Sequence, residues 1–150
     1  MNKGNFEMFV GLNANAMKSI QRIKNQKMKR YGLSSAHTNC IYRLAWAGET
    51  GLTQTELSRQ EMMDPSQVSR VLRELNAKGY VWMDGEEGRY RRRYVLTEAG
   101  NEMAKEIHQI IEEIESFVSM GIPKENLDMF YRTYAHICDR LNEAENVFRE

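Results

Sequence analysis

Two helix-start signals eleven residues apart constrain this chain more than any other feature. Thr53-Gln54-Thr55-Glu56 is written as a capping box, in which a Thr hydroxyl and a Glu carboxylate satisfy two backbone N–H groups that a helix start leaves without partners. Asp64-Pro65-Ser66-Gln67 repeats the job, with Asp as N-cap, Pro at the first helical position and Gln at the third. Only a turn near Glu61 to Met63 separates the two helices, so they must cross at a large angle as a helix-turn-helix. The second runs from Pro65 to about Lys78, and Gly79 suits the position just past its end. Val68, Val71, Leu72 and Leu75 make its apolar face, while Ser66, Gln67, Ser69, Arg70 and Arg73 lie opposite.

A β-hairpin is expected next, over residues 80–96. Tyr80 to Met83 is strand-like, Asp84-Gly85-Glu86-Glu87-Gly88 is a turn, and Arg89 to Leu96 returns as the second strand. Long helices are expected at both ends of the chain. From Phe6 to Arg30, Phe6, Phe9, Val10, Met17 and Ile20 recur at helical steps, and Gly32 ends the segment. Ser34 or Ser35 can cap a helix over roughly 35–48. After Thr97, Met103, Ile107, Ile110, Ile111, Ile114, Phe117 and Val118 mark another stripe. Gly121-Ile122-Pro123 breaks it, with Pro123 in the first turn of a last helix carrying Leu127, Phe130, Tyr131, Tyr134, Ile137 and Leu141.

The expected fold is therefore mainly α with a small β-hairpin wing: a winged helix-turn-helix plus a helical dimerisation region formed by the N- and C-terminal helices. The chain reads as one unit, 1–150, with the winged lobe at 33–97 and the dimerisation helices at 5–31 and 98–147. The terminal helices show more apolar face than a small winged lobe can cover, which points to a second copy of the chain.

Net charge is zero, yet it is unevenly spread. Residues 1–97 hold 16 Lys and Arg against 9 Asp and Glu, a net of +7, and residues 98–150 hold 5 against 12, a net of −7. Such a chain can meet phosphates with one part and turn the other away. A helix fits the major groove, where base edges show distinct donor and acceptor patterns. There Gln67 could bond adenine, Arg70 or Arg73 could reach guanine O6 and N7, and Ser66 and Ser69 are short enough for phosphate or base. Arg89, Arg91 and Arg92 of the hairpin are the candidates for a wing in the narrow minor groove. The expected partners are double-stranded DNA, a second subunit and a small-molecule effector, with no membrane and no cofactor.

Thr53-Gln54-Thr55-Glu56-Leu57-Ser58, the stretch Ser66 to Leu75 with Lys78-Gly79-Tyr80-Val81, and Leu96-Thr97-Glu98-Ala99-Gly100 together resemble the multiple-antibiotic-resistance regulator (MarR) family of bacterial repressors. The Gly121 to Leu127 break is similar to that family's too. The likeness covers nearly the whole chain. It implies a homodimer built on the terminal helices, a pseudo-palindromic operator, and a ligand pocket between the dimerisation helices and the winged lobe. The family's wing usually reads Asp-Arg-Arg ahead of its Leu-Thr pair; the matching stretch here is Gly88-Arg89-Tyr90, which keeps the arginine and lacks the aspartate.

Other chemistry has less to build on. His37, His108 and His136 are scattered, and neither a glycine-rich phosphate loop nor a Gly-x-Ser-x-Gly elbow is present, so an enzyme is not expected. A metal-responsive variant of the same fold would use His108 and Glu112, four apart on a helix, with His37. A redox-responsive one would use Cys40 or Cys138. Tyr31, Tyr42 and Trp46 are candidates to line an effector pocket. A winged lobe that meets protein rather than DNA is a further alternative. No apolar run reaches the roughly 18 residues of a membrane span, Met1 to Val10 lacks the order of a signal peptide, and two cysteines suit a reducing compartment, so the cytoplasm is expected.

Overall fold

The computed structural model describes residues 4–84 and 92–149. Its described residues form six α-helices and three short strands: α1 (Asn5–Met28), α2 (Ser35–Ala47), β1 (Leu52–Thr53), α3 (Gln54–Glu61), α4 (Pro65–Ala77), β2 (Val81–Asp84), β3 (Arg93–Leu96), α5 (Glu98–Ser119) and α6 (Lys124–Val147). The chain divides into two compact units, Met1–Ile110 and Ile111–Glu150. None of the described helices is long and apolar enough to cross a membrane.

The core of the first unit is made by one face of each helix. Cys40, Ile41 and Leu44 of α2, Leu57 of α3, and Val68, Val71, Leu72 and Leu75 of α4 are buried, together with Val81 and Val95 of the strands and Met103 and Ile107 of α5. Each fully buried leucine stabilises the fold by about 1.5–3 kcal/mol relative to an exposed one. The buried face of α4, and Met103 and Ile107 of α5, are those read from spacing; the buried residues of α2 and α3 are not.

Helix starts follow the written signals, with two corrections. Thr53 Oγ1 accepts the Glu56 N–H at 3.1 Å and the Glu56 carboxylate accepts the Thr53 N–H at 2.8 Å, closing the box. Ahead of α4, Asp64 accepts the Ser66 N–H at 3.1 Å, but Gln67 does not close a second box. Asp64 bonds the second helical residue instead of the third, so the reciprocal geometry that a box needs is absent. Pro123 is likewise the N-cap of α6, one position earlier than expected. The first helix ends at Met28 and tightens into a 3-10 turn over Lys29–Tyr31 before Gly32.

The hairpin is part of a larger sheet. β3 lies between β1 and β2, antiparallel to both, with Leu52 opposite Tyr94 and Val81 opposite Leu96. At two residues, β1 is too short for a propensity signal, and only its partner defines it. The second hairpin strand was expected from Arg89; its described part is Arg93–Leu96, and the turn residues with Arg89 to Arg91 lie outside the described residues.

The turn between α3 and α4 holds one non-glycine residue at positive φ. Met62 sits at φ 52° and ψ 38°, its N–H bonded to the Ser58 carbonyl, with its side chain 91% exposed. A left-handed conformation costs a side-chain-bearing residue about 1–2 kcal/mol, partly offset in glycine by the entropy of its unfolded chain. Met62→Gly should therefore raise stability by about 0.5–1 kcal/mol. A urea melt checks this, and a lowered midpoint would show that the methionine makes a contact worth more than the strain.

Candidate nucleic-acid interface

The helix-turn-helix is held by polar contacts at both ends of its turn. Gln54 Nε2 donates to the Pro65 carbonyl at 3.1 Å, and Ser58 Oγ donates to the Met63 carbonyl at 2.6 Å. With Val68, Val71, Leu72 and Leu75 buried, rotation of α4 about its axis is set. Ser66, Gln67, Ser69, Arg70 and Arg73 are all exposed as a consequence. The five candidates read from the sequence thus share the outward side of one helix, at its N-terminal end and middle.

Of the wing candidates, Arg89 and Arg91 lie outside the described residues. Arg92 is partly buried and its guanidinium reaches the Met83 sulfur at 3.4 Å, across the hairpin. A neighbouring residue has a role that the sequence did not disclose. Arg93 Nε donates to the Thr50 carbonyl at 2.8 Å, and its Nη2 reaches the Gly51 carbonyl at 3.1 Å and the Glu56 carboxylate at 3.2 Å. One planar fork thereby ties the wing's central strand to the start of α3. The Thr53 N–H, and after it the Arg93 and Arg59 charges, hold the Glu56 carboxyl below the usual carboxylate range against some desolvation. Its folded value is depressed, so the support it lends is present at neutral pH and is lost as the pH falls through that lowered value.

His37 is placed differently from its expectation as a metal ligand. It is buried at the first turn of α2, where Ser34 Oγ accepts its N–H at 3.4 Å and its Nδ1 accepts the Ser34 N–H at 2.9 Å. Its Nε2 lies 2.5 Å from Glu74 Oε2 on α4. Both ring nitrogens are engaged within the fold, so His37 serves as a helix cap and a bridge between helices. Among the described residues no three His, Cys, Asp or Glu side chains gather closely enough to hold a metal ion. A histidine three residues after a serine was the one signal that could have shown the cap; nothing in the sequence showed Glu74 as its partner.

Cys40 is fully buried, and burial, with the Glu61 charge second, pushes its thiol up to about 12. That is the opposite of the depressed value a thiol sensor needs. Native protein at pH 8 should leave Cys40 unlabelled by iodoacetamide while urea-unfolded protein is labelled; peptide mapping reads this, and native labelling at Cys40 would put a redox role back in play.

Two of the three pocket candidates share a groove. Tyr42, Ala45 and Trp46 of α2 face Asn101, Ala104, Lys105 and His108 of α5 across an open groove of about 550 Å³. Tyr42 and Trp46 meet edge to face with ring centres 6.1 Å apart, and Trp46 is 77% exposed. Tyr31 is not part of this lining; its hydroxyl bonds Glu106 at 3.2 Å and its ring carries the Arg30 guanidinium at 4.8 Å.

No protein-family model matches the chain, and no curated protein matches it. Solved structures do. The chain is similar to the Staphylococcus aureus MepR–DNA complex, with a TM-score of 0.78 and 17% identity over 92% of this chain and 99% of that one. It is similar to a transcriptional regulator of the MarR family from Rhodococcus sp. RHA1, with a TM-score of 0.77 and 18% identity over 91% and 96%. It is also similar to MarR, with a TM-score of 0.75 and 20% identity over 90% and 98%. The chain has the winged-helix fold of these proteins along nearly its whole length.

Proposed function

We propose that this chain is a sequence-specific, double-stranded-DNA-binding transcriptional regulator of the MarR family, a repressor that acts in the cytoplasm as a homodimer on a pseudo-palindromic operator. The observation that carries the reading is the exposed row Ser66, Gln67, Ser69, Arg70 and Arg73, held outward by the buried opposite face of a doubly capped helix-turn-helix. A groove-reading helix needs short polar groups and arginines on one rigid side, and this helix has them. That a protein of the same fold was solved with DNA supports the reading.

The homodimer is supported by apolar side chains left exposed on the terminal helices. Phe6, Val10 and Met17 of α1 are exposed, and so are Met129, Phe130 and Tyr131 of α6, a helix of 24 residues with none buried among those described. The dimerisation helices would be 5–31 and 98–147, flanking the winged lobe at 33–97. Release by a small aromatic effector is supported by the groove that Tyr42 and Trp46 line, since an exposed indole beside a tyrosine offers stacking area.

The test is duplex binding against salt, with DNA from upstream of the protein's own gene. The expected result is tight binding at one palindrome, two subunits per site, and a steep loss of affinity with salt. Arg89→Ala should lower the salt slope by about one if the wing arginine meets phosphate or minor groove; an unchanged slope would remove it from the interface. Folded, dimeric protein that binds no duplex at low salt would favour a winged lobe that meets protein.

A further inference from the structure

The geometry points to Glu74 and His37 as positioning residues that set the direction of Arg70 on the outward side of α4; the inference rests on the duplex-binding reading above. The chain of contacts begins at a backbone. The Ser34 N–H and Oγ both lie against Nδ1 of His37, at 2.9 and 2.8 Å, and because the backbone N–H can only donate, Nδ1 accepts from it. The ring proton therefore sits on Nε2, which donates to Glu74 Oε2 at 2.5 Å. The ring cannot swing, because it is buried and closes the cap of α2. The other carboxylate oxygen, Oε1, stands 3.9 Å from Arg70 Nε, one turn earlier on α4.

Alone, this arginine–glutamate pair would do little. Arg70 is exposed and Glu74 half-buried, such pairs stabilise weakly, and the arginine precedes the acid, the poorer order on a helix. What distinguishes it is the second anchor. A carboxylate pinned at one oxygen by a buried imidazole has lost its rotamer freedom before the arginine arrives. Its position at Nε, on the near side of the guanidinium, leaves the terminal amino groups to form the fork that reads guanine O6 and N7. A side chain held in its reading geometry loses less entropy on binding than one that must be ordered there.

The experiment is a double-mutant cycle on full-length protein. The probes are a duplex selected by the protein from a random-sequence pool and a scrambled duplex of equal length. Glu74→Ala should weaken binding to the selected duplex about fivefold in the wild-type background and less than about twofold in the Arg70→Ala background, with little change on the scrambled duplex. His37→Phe, which keeps a ring but removes both nitrogens, should show the same dependence on Arg70 if it folds; Glu74→Ala, a truncation at a half-buried surface position, keeps the test valid if it does not. Equal losses with and without Arg70 would overturn the inference and leave Glu74 as a fold-supporting residue. Tighter binding of Glu74→Ala to both duplexes would overturn it too, since the acid would then act only by repulsion. Wild-type protein that selects no duplex would remove the duplex-binding reading itself, a failure visible before any variant is made.

Discussion

Gly51→Ala is expected to destabilise the protein by about 4 kcal/mol, the sum of two costs that glycine avoids. The first is conformational: Gly51 sits at φ 65° and ψ −175°, a region that side-chain-bearing residues enter at a cost of about 1–3 kcal/mol. The second is steric. A Cβ there would lie 2.4 Å from the Tyr94 carbonyl oxygen and 2.7 Å from Val95 Cγ1, and the oxygen belongs to the backbone of β3. Forced overpacking adds about 1–3 kcal/mol. Gly79→Ala separates the two terms. Gly79 has φ 80° with open space where its Cβ would be, so alanine there carries the conformational cost alone. Chemical denaturation of both variants checks the difference, and a Gly51 variant no worse than the Gly79 one would mean that the approach to Tyr94 is loose in solution. Because the Gly51 carbonyl also receives Arg93, the same variant should disturb the seat of the wing.

Arg70→Ala is expected to remove about 1–3 kcal/mol of discrimination between the selected duplex and a scrambled one, while affinity for the scrambled duplex changes little. The reason is chemical. A guanidinium that forks onto a guanine edge loses its partners when the base changes, whereas one that meets phosphate does not sense the base at all. Arg70 is 61% exposed by side chain, on the same outward side as Gln67 and Arg73 and away from the buried Val68, Val71 and Leu72. Binding curves on both duplexes at one fixed salt concentration read the effect. Equal losses would assign Arg70 to the backbone, and no loss on either would take α4 out of the interface.

Sequence alone determined the elements whose causes are local. Capping side chains lie within three residues of the N–H groups they satisfy, so the starts of α3 and α4 were readable at Thr53 and Asp64. Apolar spacing reports which side of a helix leaves water, so Val68, Leu72 and Ile107 are legible as core and Arg70 and Arg73 as outside it, whereas the burial of Leu57 is not. Thr97 and Gly100 were legible only as a motif. The structure supplies their reasons: Thr97 Oγ1 accepts the Gly100 N–H at 3.0 Å, and a Cβ on Gly100 would strike the Tyr80 carbonyl oxygen at 2.0 Å.

Tertiary structure decided whatever depends on a partner far along the chain. Leu52 and Thr53 became a strand because β3 passes beside them. His37 became a cap and a bridge between helices because folding brings Ser34 and Glu74 to its two ring nitrogens. Tyr31 turned to Glu106 while Tyr42 and Trp46 shared a groove, and Arg93 found the carbonyls of Thr50 and Gly51. A side chain's identity states which bonds it can make. Which of them it makes depends on what folding brings within about 3 Å, and no local pattern encodes that distance.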